Sequence, residues 1–157
     1  MRRWAHGLKE LAGDPTLLDE LDHWRSVTSA IDNPSLTVQP DRDLVRTLKH
    51  REIVLSPKLT DTLLTRVPQA FHGGVNDGLL AAFALAATHW LRGRGESATS
   101  LVVALEGHGR EEELLPGADL SRTVGWFTTL YPVLLTTAGI DVDDALAGGQ
   151  SAGDLVK

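Results

Sequence analysis

The apolar positions change their period several times along the chain, and each change marks a structural element. From Val75 the apolar residues fall at 75, 79, 80, 83, 84, 87, 90 and 91. That is the stripe of one helical face widened by small alanines, and Gly93 and Gly95 close it. Further upstream, Trp4, Leu8 and Leu11 keep helical spacing within residues 3–12. "DPTLLDELDHW" follows, with Asp14 placed as an N-cap and Pro15 at the first helical position, so it predicts a second short helix. Residues 33–40 carry two prolines and no period, which predicts a loop. "HREIVLS" at 50–56 reads as a strand, and Ser56 before Pro57 as the cap of a helix running to about Arg66.

Beyond the long helix the period shortens. "TSLVVAL" at 99–105 has the continuous apolar run of a strand buried on both faces, and "TVGWFTTLYPVLLTT" at 123–137 reads as a second, longer strand. Another helix is predicted near Asp141, and "AGGQSAG" at 147–153 has the composition of a flexible connector. Helices thus alternate with strands, an α/β pattern. "GDLVK" reads as the first turn of an unfinished helix, and the other end starts directly on an amphipathic one, so both ends read as cut from something larger.

Composition narrows the classes of function. A chain of 157 residues with 42% hydrophobic and 23% charged residues is long enough for one folded domain and is neither fibrous nor disordered. The formal charge of −6, with no basic stripe, argues against a nucleic-acid surface. Cysteine is absent, which removes disulfide and thiol chemistry. The apolar run "LLAAFALAATHWL" is shorter than the roughly 20 residues that cross a bilayer, and the N-terminal residues lack a signal-peptide core, so a soluble, cytoplasmic protein without a membrane partner is expected. The six histidines never approach one another at ligand spacing, so no metal is expected. Gly93-Arg94-Gly95 follows a helix and is no dinucleotide fingerprint.

The chemistry concentrates at 101–132, "LVVALEGHGREEELLPGADLSRTVGWFTTLYP". Glu106 ends an apolar strand, where desolvation by its neighbours would suit a carboxylate to proton transfer. Gly107 and Gly109 permit sharp or positive-φ backbone and a close substrate approach. His108 and Arg110 alternate around them. Each residue also has a plainer role. Glu106 fits a structural ion pair with Arg110 or Arg122, and His108 a hydrogen-bonded structural histidine. Residues 111–113 fit a solvated acidic face, and Trp126, Phe127 and Tyr131 fit core packing.

"EGHGRE" at 106–111 together with "RTVGWFTTLYP" at 122–132 closely resembles two signature motifs of the epimerization domains of nonribosomal peptide synthetases. "VNDGLLAAFALA" at 75–86 resembles a third, and "RRWAHGL" and "ELDHW" resemble the linker helices that precede them. The order and spacing agree over nearly the whole chain. The resemblance implies a chloramphenicol-acetyltransferase-like (condensation-domain) fold, here partial: linker helices from a first lobe at 1–40 and the beginning of a second lobe at 41–157.

It further implies an amino-acid epimerase (isomerase) activity that inverts the α-carbon of an aminoacyl or peptidyl thioester. That substrate rides on the phosphopantetheine arm of a carrier domain, and no cofactor is bound directly. The implied partners are that carrier domain and the remaining lobes of the synthetase domain. Glu106 would be one acid/base group and the distal His of an HHxxxDG motif the other. Arg122 would neutralise charge, while Gly107, His108, Gly109 and Trp126 would line the substrate side. Asp77 would tie its helix to the preceding loop. No HHxxxDG occurs in this sequence, so the chain alone is expected to be inactive. The related condensation-type acyltransferase and a non-catalytic carrier-binding remnant are the alternatives.

Overall fold

The computed structural model describes residues 2–29 and 38–157. Two compact units divide the chain, Met1–Ile31 with Val102–Leu134, and Asp32–Leu101 with Leu135–Lys157. The loop expected at 33–40 lies mostly outside the described residues; its last three positions, 38–40, are not helical or extended into a sheet.

In the first unit, helix α1 (Arg2–Leu11) points Trp4 inward, and α2 (Leu21–Ser29) buries Val27. Between them Pro15–Glu20 winds as a tight 3₁₀ segment, where the sequence pattern suggested one uninterrupted helix. Asp14 caps that segment, its carboxylate accepting the Thr16 N–H, and Pro15 stands at the first turn, where a missing N–H costs nothing. Trp4 packs with Leu120 and Phe127, and Leu115 and Ala118 close the edges of this small core. The Trp4 and Phe127 rings meet edge to face with centroids 6.5 Å apart.

The second unit is mostly helical. Ser56 accepts the Leu59 N–H and starts α3 (Pro57–Asp61). The helical path does not stop near Arg66 as expected. It widens into a π turn over Thr62–Arg66, where the Val67 N–H reaches the Thr62 carbonyl, and continues as α4 (Val67–Phe71). Pro68 explains the widening, because a proline in a helix interior neither donates an N–H nor leaves room for the carbonyl four residues back. His72, at φ 54, then ends the path in a left-handed conformation.

The long helix α5 (Val75–Arg92) forms as its periodicity predicts, and Asp77 accepts the Gly74 N–H at 2.7 Å, tying helix to loop. Its buried face differs from the predicted one. Gly78, Ala81, Ala84, Thr88 and Leu91 face inward, whereas Leu79, Phe83 and Trp90 are exposed. The helix is apolar on more than one side, and the side with small residues is the one that packs closely against neighbours. Among the described residues Leu91 is the most buried side chain, at 2% exposure.

Strands β1 (Ser100–Gly107) and β2 (Thr129–Thr136) form a two-stranded sheet. The Thr137 N–H donates to the Thr99 carbonyl, and Gly107 lies against Thr129, so the strands run antiparallel. The sheet departs from the sequence pattern in three places. Residues 50–56 form no strand, and Ile53 and Val54 are strongly exposed, because β-prone residues without a partner strand gain no ladder hydrogen bonds. β1 is at most half-buried, its residues ranging from partly buried to exposed instead of being covered on both faces. The second strand starts only at Thr129, because residues 120–127 turn back onto other groups.

At the other end the helix predicted near Asp141 forms as α6 (Val142–Leu146), and Asp141 caps it by accepting the Asp143 and Asp144 N–H groups. The stretch expected to be a flexible connector instead turns at Gly148 and enters α7 (Gln150–Val156). The reason is Asp144, whose carboxylate accepts the Ser151 N–H in the first turn of α7, a contact that also lowers its pKa.

Beneath α5 a buried hydroxyl pair joins Thr88 and Thr137 at 3.1 Å, and Thr137 Oγ1 also donates to the Thr99 carbonyl at 3.3 Å. Thr88→Val keeps the shape and leaves Thr137 its carbonyl partner. Its expected cost is therefore about 1 kcal/mol, one net hydrogen bond. Urea unfolding followed by circular dichroism measures it. A loss of several kcal/mol would mean that the Thr137 hydroxyl is orphaned by the change.

Candidate functional site

The chemistry-bearing residues of the first unit lie on two segments that meet after β1. Glu106 is the penultimate residue of β1, and its side chain is exposed. The desolvation expected for it is therefore not provided by its neighbours in this chain. Neither expected ion pair forms among the described residues, since Arg110 turns away to main-chain carbonyls. Gly107 lies directly over β2: a side chain there would begin 3.1 Å from Thr129 Oγ1.

His108 is exposed, and its Nδ1 accepts the Arg110 N–H at 3.0 Å. A ring nitrogen that accepts carries no proton, so the neutral imidazole holds its proton on Nε2 and presents it as a donor. Glu111 Oε1 lies 3.7 Å from the same Nδ1.

Gly109 is buried, with φ +65. A β-carbon at this position would fall within the radius of the Phe127 carbonyl oxygen. Only glycine permits both the conformation and the approach. The first motif is thus pressed against the second at its centre.

Arg110 makes the second connection. Its Nη1 donates to the Leu120 carbonyl at 2.6 Å, its Nη2 to the Thr123 carbonyl at 3.0 Å, and its guanidinium lies 4.2 Å from the Phe127 ring centroid. A third connection comes from Glu112, whose carboxylate accepts the Leu120 N–H. Residues 111–113 are therefore not simply a solvated acidic face. Leu120 to Thr123 form a turn closed by the Thr123 N–H on the Leu120 carbonyl at 3.0 Å. Asp119 supports the turn by accepting from the Ser121 hydroxyl and N–H, bonds that lower the Asp119 pKa.

Arg122 occupies an exposed position within this turn. Of the three aromatic residues read as core, Phe127 is buried, Tyr131 is exposed at its edge, and Trp126 stands out at 85% exposure. Trp126 is not core because the two flanking contacts, Gly109 on the Phe127 carbonyl and Arg110 on the Phe127 ring, fix the next residue inward and turn Trp126 outward. The first motif carries an exposed carboxylate, Glu106, and an exposed imidazole, His108, and the second an exposed arginine, Arg122, and an exposed indole, Trp126; the two motifs meet at Gly109 and Phe127. Such a set can accept a proton and present cationic and hydrogen-bonding groups to an anionic or enolate-like species. Among the described residues no His, Asp and Glu side chains gather into a metal site, and no helix is long and apolar enough to cross a membrane.

Sequence reasoning missed the roles of Arg110 and Glu112. Their partners are backbone groups 8–13 residues away, and nothing in residue type or spacing marks such bonds.

Comparison with known proteins gives a uniform result. The condensation domain family model matches residues 1–147. Tyrocidine synthase 1 of Brevibacillus parabrevis is 38% identical over 136 residues, covering 84% of this chain and 12% of that protein. Chondramide synthase cmdD of Chondromyces crocatus is 40% identical over 147 residues, 92% of this chain and 4% of that protein. Among solved structures, the epimerization domain from the third module of tyrocidine synthetase B superimposes with a TM-score of 0.70 at 32% identity, covering 87% of this chain and 30% of that one. The chain thus spans less than a third of that solved domain and a small part of each synthetase.

Proposed function

The chain belongs to the condensation-domain family, and from that premise we propose that it is part of a nonribosomal peptide synthetase epimerization domain. Residues 1–40 then supply linker helices from a first lobe and 41–157 the beginning of a second. The reaction inverts the α-carbon of an aminoacyl or peptidyl thioester carried on the phosphopantetheine arm of a carrier domain. The observation that carries the reading is the exposed Glu106 at the end of β1, inside a motif pinned to the "RTVGWFTTLYP" segment. The likeness to a solved epimerization domain supports it.

Inversion removes a proton from one face of the α-carbon and returns one to the other, through an enolate-like species that needs charge stabilisation. Glu106 serves as one proton carrier. Arg122, displayed by its turn, offsets the developing negative charge, and the His108 Nε2–H and Trp126 face the substrate. The second proton carrier, a histidine of an HHxxxDG motif, has no counterpart in this sequence. The chain alone is therefore inactive, and the activity belongs to the chain joined with the rest of its domain.

A second reading, a condensation-type acyltransferase, draws on the family model itself, whose description is condensation. One experiment separates the two. An aminoacyl-carrier thioester is incubated in deuterated water with the chain, and with the chain joined to the remaining segments of the domain. Deuterium uptake at the α-carbon only in the joined protein is expected. Amide formation with an added acceptor amine, without α-deuteration, points to acyl transfer instead. Carrier binding with neither reaction leaves a non-catalytic remnant.

A further inference from the structure

We propose that Arg110 and Glu112 are positioning residues that clamp the Leu120–Thr123 turn and so set where Arg122 and Trp126 stand relative to Glu106; the catalytic consequence rests on the epimerase reading above. The grip has a specific form. Leu120 is held at both polar groups of its backbone, its carbonyl by Arg110 Nη1 at 2.6 Å and its N–H by the Glu112 carboxylate. Arg110 Nη2 holds the Thr123 carbonyl at 3.0 Å, so the two arms of one guanidinium span the first and last residues of the turn. Between those two points sits Arg122.

The choice of partners is informative. Carboxylates are abundant beside Arg110, at Glu111, Glu112 and Glu113, and an arginine held only by charge would pair with one of them. Arg110 instead spends both arms on neutral carbonyls and lays its plane 4.2 Å from the Phe127 ring. A planar fork can do this, whereas a lysine, a point charge on a flexible stem, cannot grip two carbonyls and an aromatic face together. Phe127 and Leu120 are themselves buried, at 8% and 4% exposure, against Trp4. The clamp therefore transmits the position of a fixed core to an exposed turn.

Both arms have a conservative and a disruptive variant. Glu112→Gln keeps a carbonyl oxygen able to accept the Leu120 N–H, and Glu112→Leu does not. Arg110→Lys keeps the charge and loses the fork. In the 157-residue chain, Arg110→Lys and Glu112→Leu are expected to speed hydrogen exchange at the Leu120 and Thr123 amides by about tenfold, the loss of one net hydrogen bond. Glu112→Gln should stay near wild type, and amides of α5 should be unaffected in all three. Unchanged exchange at Leu120 and Thr123 in both disruptive variants overturns the clamp.

In the chain joined to the rest of its domain, Arg110→Lys is expected to lower kcat for α-proton exchange by about 10²-fold, the scale of a 1 Å misplacement, with KM nearly unchanged. A wild-type kcat in Arg110→Lys, from an active parent, overturns the positioning role while leaving the epimerase reading intact. A parent that exchanges no α-proton removes that reading, and the amide exchange then decides the clamp by itself.

Discussion

Gly109→Ala is expected to be the most damaging single substitution in the chain, lowering stability by roughly 2–5 kcal/mol. Two costs combine. An alanine at φ +65 occupies the left-handed region, which costs an L-residue about 1–2 kcal/mol. Its β-carbon would also overlap the Phe127 carbonyl oxygen, and forcing apart a packed contact costs about 1–3 kcal/mol more. The displaced group is main chain, so no rotamer change relieves the overlap. Against a typical total of about 5–15 kcal/mol, that is a large share of the stability.

Gly107→Ala is the internal control. Gly107 has no positive φ, and its added β-carbon would begin 3.1 Å from the Thr129 hydroxyl oxygen, a side-chain atom that can move. Its cost should be about 1 kcal/mol or less. Urea unfolding of the two variants, followed by circular dichroism, makes the comparison. Equal midpoints for Gly109→Ala and wild type would mean that the two motifs do not meet at this carbonyl.

What the sequence made legible were the features written in local chemistry. The caps at Asp14, Ser56 and Asp141 act within three residues of themselves, and the sequence marks the first two as caps and the third as the place where a helix begins. The long helix was readable from its period, although its inward face was not. Leu79, Phe83 and Trp90 follow the same period as Ala84 and Leu91, and hydropathy ranks the large residues above the small ones that pack closely. The strand expected at 50–56 failed for a different reason. β-propensity describes a fit to a partner, and the partner is a property of the fold, not of the segment.

The site divides along the same line. Its two motifs and the glycines of the first were visible, because glycine at a forced conformation is a residue-type signal. The connections between them were not. The sequence offers Arg110 or Arg122 as an ion-pair partner for Glu106, yet Arg110 binds carbonyls 10 and 13 residues onward. Trp126 was grouped with Phe127 as core because both are aromatic neighbours. The contacts that bury one residue turn the other outward, and only the three-dimensional arrangement decides which.

Glu106→Gln in the chain joined to the rest of its domain is expected to lower the rate of α-deuteration by about 10²–10⁴-fold, the usual contribution of a positioned proton carrier. The substitution is nearly isosteric at an exposed site, so thermal unfolding should be unchanged and the loss chemical. Glutamine still accepts and donates hydrogen bonds, but it does not take a proton from carbon, so KM should move little while kcat falls. Glu106→Asp retains the carboxylate and draws it back by one methylene. An intermediate loss is expected, because proton transfer depends steeply on the distance between the reacting atoms. The same variants should leave amide formation untouched if the domain were an acyltransferase, since no carbon acid is ionised in that reaction. α-Deuteration at the wild-type rate in Glu106→Gln would therefore remove Glu106 from the chemistry, and a proton carrier elsewhere in the joined protein would have to be sought.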